Sequence, residues 1–144
     1  MAVEENKAMM RRLIEEFIDK GDMAVADELI ATDFINHIVP PGMMCDRESL
    51  KQSIADSRSA FPDLHVTLED LIAEGDKSVA RVRIRGTHLG DFMGIPATGK
   101  QIDVPGITIL RFVEGKVVER WNINDDLGFM RQLGVIPTPG QGEA

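Results

Sequence analysis

Val113-Glu-Gly-Lys-Val-Val-Glu-Arg-Trp-Asn-Ile-Asn-Asp-Asp-Leu127, continuing into Gly128-Phe-Met-Arg-Gln-Leu-Gly134, sets two apolar runs on either side of Glu114-Gly115. Glycine tolerates positive φ, so this pair suits a tight hairpin turn and predicts that Val117 onward returns as an antiparallel strand. Alternation along that strand places Val117, Glu119, Trp121, Ile123 and Asp125 on one side and Val118, Arg120, Asn122 and Asn124 on the other. The first side brings a carboxylate next to a large aromatic. If it lines a cavity, the apolar surroundings make Asp125 a better proton acceptor than it is in water. Leu127, Met130 and Leu133 with the closing Gly134 read as a short helix, and a helix starting there wants an aspartate as its N-cap, so one of Asp125 and Asp126 is a cap.

Working back toward the N-terminus, Met10, Leu13, Ile14, Phe17 and Ile18 recur with helical spacing between Glu4 and Asp19, and Gly21 stops that helix. Asp22 caps a second helix, with Ala26, Leu29 and Ile30 inward. The segment 33–39 reads as a short strand broken by Pro40-Pro41-Gly42. Asp46 caps a third helix whose stripe is Leu50, Ile54, Ser57 and Phe61. After Phe61-Pro62-Asp63 the period changes to two. Leu64, Val66 and Leu68 alternate with His65, Thr67 and Glu69, and Gly75-Asp76 turns the chain into the strand 78–88. There Arg81, Arg83 and Arg85 face water, and His88 falls on the apolar side with Ala80, Val82 and Ile84. The segment 90–100 is a glycine-rich loop carrying Phe92, Met93 and Ile95, which predicts that it folds over a cavity mouth or into a subunit interface. Residues 101–113 form a long strand, with Ile102, Val104, Thr108, Leu110 and Phe112 on one face. Asp103, Ile107, Ile109 and Arg111 lie on the other, and Pro105-Gly106 suggests a bulge. Residues 136–144 read as a tail.

The chain of 144 residues suits a single domain over 1–144. Apolar residues make up 43% and charged residues 28%, ordinary for a globular protein. The net charge of −8 and a pI near 4.8 speak against a nucleic-acid surface or an anionic membrane. No stretch approaches the ~20 apolar residues of a membrane span, and the acidic start lacks a signal core, so a soluble cytoplasmic protein is expected. Cys45 is the one cysteine, and three scattered histidines give no metal-ligand spacing.

Three helices, a strand, consecutive strands with short turns and a last short helix amount to an α+β domain. The expected form is a bent antiparallel sheet making a cone, with N-terminal helices over its concave face and a pocket between. The segments Gly86-Thr-His-Leu-Gly-Asp-Phe-Met-Gly-Ile-Pro-Ala-Thr-Gly-Lys100, Phe112-Val-Glu-Gly-Lys-Val-Val-Glu-Arg-Trp121 and Asp125-Asp-Leu-Gly-Phe-Met-Arg-Gln-Leu-Gly134 closely resemble the SnoaL-like polyketide cyclase family. That family lies within the nuclear transport factor 2-like superfold. The resemblance spans nearly the whole chain, including Asn36-His37 and Phe61-Pro62-Asp63, and implies an intramolecular aldol condensation without cofactor or metal, closing a ring in a polyketide ester. It implies Asp125 as the acid/base residue.

The enolate of such a reaction needs hydrogen-bond donors, for which His88, Asn36, His37 and the Trp121 indole are candidates, with His88 the second catalytic residue. Asn36 and His37 point to opposite faces, so at most one reaches the pocket. Phe92 is expected to touch the substrate, a small apolar carbonyl compound. The methionines Met10, Met93 and Met130 are either pocket wall or core filling. The histidine that the family pairs with its aspartate on the preceding strand is missing from 107–112, and Arg111 is the candidate replacement. Two alternatives stand beside the cyclase. An epoxide hydrolase predicts that Asp103 and Arg111 meet Asp125. A non-catalytic binding or dimerisation module predicts a pocket filled by Trp121 and the methionines. Ile107 and Ile109 on the outer sheet face point to a homodimer.

Overall fold

The computed structural model describes residues 2–137; of the predicted tail, residues 138–144 lie outside them. The first helix, α1 (Ala2–Arg12), runs on into a π-helical segment (Leu13–Ile18), followed by α2 (Met23–Leu29). The sheet and remaining helices are β1 (Ile30–Asn36), α3 (Arg47–Ala60), β2 (His65–Glu74), β3 (Lys77–Thr87), β4 (Gln101–Val113), β5 (Lys116–Asn124) and α4 (Asp126–Leu133). The π-helical stretch, where one helix was expected, widens the turn at Ile14 and Ile18, and its end is marked by Asp19 N–H donating to the Ile14 carbonyl at 2.9 Å. Asp22 and Asp46 cap as predicted, their carboxylates accepting from Ala24 N and Ser49 N.

The five strands lie in the order β1-β5-β4-β3-β2. Strands β2 to β5 are antiparallel meander neighbours, while β1 pairs with β5 in parallel, so the sheet is mixed rather than wholly antiparallel. Strand β1 also begins three residues before the expected start, because Ile30, which we read as helical, already has extended geometry. No bulge forms at Pro105-Gly106, where the β3–β4 register runs unbroken. The bulge is instead in β5: Phe112 pairs with Val117 but Arg111 with Glu119, leaving Val118 as the extra residue.

This bulge changes which side chains face the helices. Val117 is buried with Phe112 and Leu110 against Met10, Leu13, Ile14 and Phe17 in the main core. Beyond Val118 it is Arg120, Asn122 and Asn124 that continue this inner face. Glu119, Trp121 and Ile123 go to the outer one. A second core cluster, built from Ala60, Phe61, Ile102 and Leu133 with Phe92, Ile95 and Phe129 against it, closes the other end of the sheet. Apolar burial at ~25 cal/mol per Å² on the inner face holds helices and sheet together, and a cavity is left between the two clusters.

Candidate active site

The cavity, about 170 Å³, has apolar walls from the π-helical segment (Ile14, Ile18), α3 (Ile54), β2, β3 and β4 (Val66, Val82, Ile84, Ile102, Val104) and the ring of Phe61. Its polar residues are concentrated on β4, β5 and α4: Thr108, Arg120, Asn122, Asn124 and Asp126, with Ser57 opposite on α3. A wider vestibule of about 540 Å³ adjoins it and shares Arg120, Asn122, Asn124, Ile54, Ser57 and Phe92. Those shared residues form a waist between an apolar inner lobe and an open outer one.

At the waist the hydrogen bonds run in one direction. Thr108 Oγ1 donates to Asn122 Oδ1, and Asn122 Nδ2 donates to Asn124 Oδ1 at 3.3 Å. From β1, Asn36 Oδ1 receives Arg120 Nη1 at 3.4 Å. Each of the three amide oxygens thus already accepts a hydrogen bond, which orients the amides of Asn122 and Asn124 and leaves N–H groups of Asn124 and Arg120 without a protein acceptor among the described residues. Gly106 makes this possible, because a Cβ there would collide with the Asn124 amide oxygen. Burial pushes the Arg120 guanidinium down to about 10, with desolvation as the cause. Among the described residues no carboxylate pairs with it.

Helix α4 delivers the acid. Its N-cap is Asp125, whose carboxylate accepts Gly128 N–H at 2.9 Å. Gly128 leaves room for it, since a side chain there would strike the carboxylate. Asp125 borders a groove on the outer sheet face with Trp121 and Ile123, so the predicted neighbourhood of Asp125 and Trp121 is present, but outside the inner cavity. The carboxylate that lines the cavity is Asp126, at its exposed rim. The bulge at Val118 is the physical reason: it exchanges the faces from Glu119 onward. Gln132 fixes α4 on β4 by accepting from Asp103 N at 2.6 Å and donating to the Asp103 carbonyl at 3.1 Å.

Phe92 reaches the cavity as expected, its loop folded back so that Phe92 and Ile95 bridge each other. Phe61, Phe92 and Phe129 pack edge-on or tilted, with centroids 5.6 to 5.9 Å apart. His88 is fully buried and stacked on Phe61 at 5.2 Å, but it does not line the cavity. Thr98 N–H donates to its Nδ1 at 3.2 Å, so in the neutral ring the proton is on Nε2, which has no partner. His88 also exchanges backbone bonds with Gly99 and Lys100, tying down the base of the loop that carries Phe92.

Three other candidates lie on the outer face and not in the cavity. His37 stacks on Trp121 at 4.7 Å and 7° and bonds Glu119 through Nε2 at 2.6 Å, while Arg111 pairs with Glu119 and with Asp76. Asn36 is the member of its pair that turns inward. Asp103 pairs with Arg83 and Arg85, so the arrangement of Asp103, Arg111 and Asp125 that an epoxide hydrolase predicts is not assembled. Nor does Trp121 fill the cavity; Met10 is core and Met93 is exposed. Among the described residues no three His, Cys, Asp or Glu side chains are grouped to hold a metal ion, and no helix is long and apolar enough to cross a membrane.

Arg120, Asn122 and Asn124 are the cavity residues that strict alternation assigns to the wrong face, whereas Thr108 shares the face of Ile102 and Val104 as read from the sequence without having been singled out for the site. The signal was the doublet Val117-Val118, two adjacent apolar residues where alternation should have given one.

Comparison with known proteins agrees with this architecture. Aklanonic acid methyl ester cyclase DnrD of Streptomyces peucetius is 29% identical over 140 residues, 91% of this chain and 92% of its own. Nogalonic acid methyl ester cyclase of Streptomyces nogalater is 27% identical over 111 residues, 75% of this chain and 82% of its own. The structure of TsrD from Streptomyces laurentii superposes with a TM-score of 0.83 at 30% identity, covering 92% of this chain and 97% of that one. The model of the SnoaL-like polyketide cyclases matches residues 8–133, from the middle of α1 to the last residue of α4, and the chain belongs to that family.

Proposed function

We propose that this chain is a cyclase that closes a ring by intramolecular aldol addition within a polyketide-like carbonyl substrate. The observation that carries the reading is a waist where oriented amide and guanidinium donors converge, set in an apolar cavity with one carboxylate at its rim. Asp126 removes a proton flanked by two carbonyls, which is acidic enough for a carboxylate. The charge developing on the enolate oxygen is received by Asn122, Asn124 and Arg120, already oriented by Thr108 and Asn36. The enolate carbon then attacks a second carbonyl of the same chain, a C–C bond forms, and the resulting alkoxide takes back the proton from Asp126. No cofactor is needed for these steps. His88 positions the Phe92 loop, and Asp125 sets the start of α4. The two relatives named as methyl ester cyclases support the reaction class.

Comparing Asp125→Asn and Asp126→Asn tests this, because asparagine caps a helix about as well as aspartate. In turnover of a linear 1,3-dicarbonyl ester, Asp126→Asn is expected to lower kcat by about 10²- to 10⁴-fold, with Asp125→Asn near the unaltered protein. A loss confined to Asp125→Asn moves the base to Asp125; no loss in either overturns acid/base catalysis by this pair.

We also infer a homodimer formed through the outer sheet face. Ile107 and Ile123 are 50% and 67% exposed there, and with Trp121, Ile109 and Ile38 they line a continuous apolar groove.

A further inference from the structure

The inner cavity is polarised across the sheet. Its donors stand on β5, while toward β2 its wall is aliphatic, made by Val66, Val82 and Ile84. Ile84 holds a particular place in that wall. It pairs with Val66 on β2 and with Val104 on β4, both buried, yet is itself only half-buried, so the surface it leaves uncovered faces the cavity. It also packs against both core clusters and so marks where they part. With a carbonyl held among the donors at the waist, whatever apolar group the substrate bears on the inner side of that carbonyl lies over Ile84. The space there is small: about 170 Å³, against the ~150 Å³ of a cavity that takes up one benzene. The vestibule of about 540 Å³ is left for the larger part of the molecule.

We infer that the inner lobe sorts substrates by the size of the apolar group next to the reacting carbonyl, accepting a single ring or an alkyl chain of up to about six carbons, and that Ile84 sets this limit. The inference rests on the cyclase reading for the place of the carbonyl, and adds the substrate's shape: a compact apolar terminus inward and a broad body outward. A ketone or an ester at the waist suits the lobe equally, because only the apolar part lies inward.

Titration of the full chain with 2-acyl-6-dimethylaminonaphthalenes, followed by probe fluorescence as the alkyl chain grows from methyl to nonyl, tests this apart from turnover. These ketones have no proton between two carbonyls, and their two-ring body exceeds a one-ring lobe. Affinity is expected to rise about fourfold with each added methylene, the value of a buried CH₂, up to about six carbons, and to fall beyond. Ile84→Ala, which takes roughly three carbons from the wall, is expected to move that break to chains about three carbons longer. Ile84→Val, a change small enough to leave the fold in place, is expected to move it by about one. Affinity that climbs through nonyl, affinity indifferent to chain length, no binding at any length, or a break that stays in place in both variants overturns the inference. The Asp126→Asn turnover experiment reports separately on the cyclase. Dependence on Asp126 without a length break sinks this inference alone, and a length break without that dependence sinks the cyclase alone.

Discussion

Asn124 keeps its place because position 106 has no side chain. Adding a methyl group there forces the amide off the relay from Thr108 through Asn122. Gly106→Ala is therefore expected to cut kcat by about 10²-fold, the effect of displacing a catalytic donor by ~1 Å, with the helical circular dichroism unchanged. On the other face, Glu119 is held below the usual carboxylate range, first by its hydrogen bond from Arg111 and then by that from His37. Because the folded-state carboxyl is the stronger acid, its contribution is complete above the ordinary Glu value near ~4.3 and is lost as pH falls through the lower folded value. Glu119→Gln should flatten the acid limb of a plot of Tm against pH while the neutral region keeps its shape. At this scale the sequence was a partial guide: Phe92 lines the cavity and Asn36 its vestibule, whereas Asp125, His37, Trp121 and Arg111 line neither.

Elements were easier to read than faces. The caps Asp22 and Asp46, the turn at Glu114-Gly115 and the stop at Gly134 all depend on local chemistry within four residues, which sequence carries directly. Which face of β5 meets the helices depends on one unpaired residue, and the doublet Val117-Val118 outweighs everything that regular alternation says about the next seven positions. The parallel pairing of β1 was hidden for a different reason. Its partner lies more than 80 residues away, with Asn36 matched to Arg120, and no local pattern in either strand specifies that match. His88 was placed correctly on the apolar face, yet its neighbour Phe61 comes from the end of α3 and stands between it and the cavity wall.

For the molecule as a whole, the two faces of the sheet divide the work: the inner one holds the cavity and the outer one presents isoleucine and tryptophan. A dimer on that outer face predicts that Ile107→Lys, with like charges meeting across the two-fold, yields a monomer by light scattering while leaving the cavity lining untouched. A dimer mass for that variant, or a monomer for the unaltered chain, overturns this arrangement. The unpaired Val118 also bears on how such a protein changes over generations. Removing its codon would restore regular pairing between Phe112-Arg111 and Val117-Glu119 and keep Arg120, Asn122 and Asn124 where they are. Strand length in β5 is thus free to drift by one codon at this position without the pocket changing its chemistry.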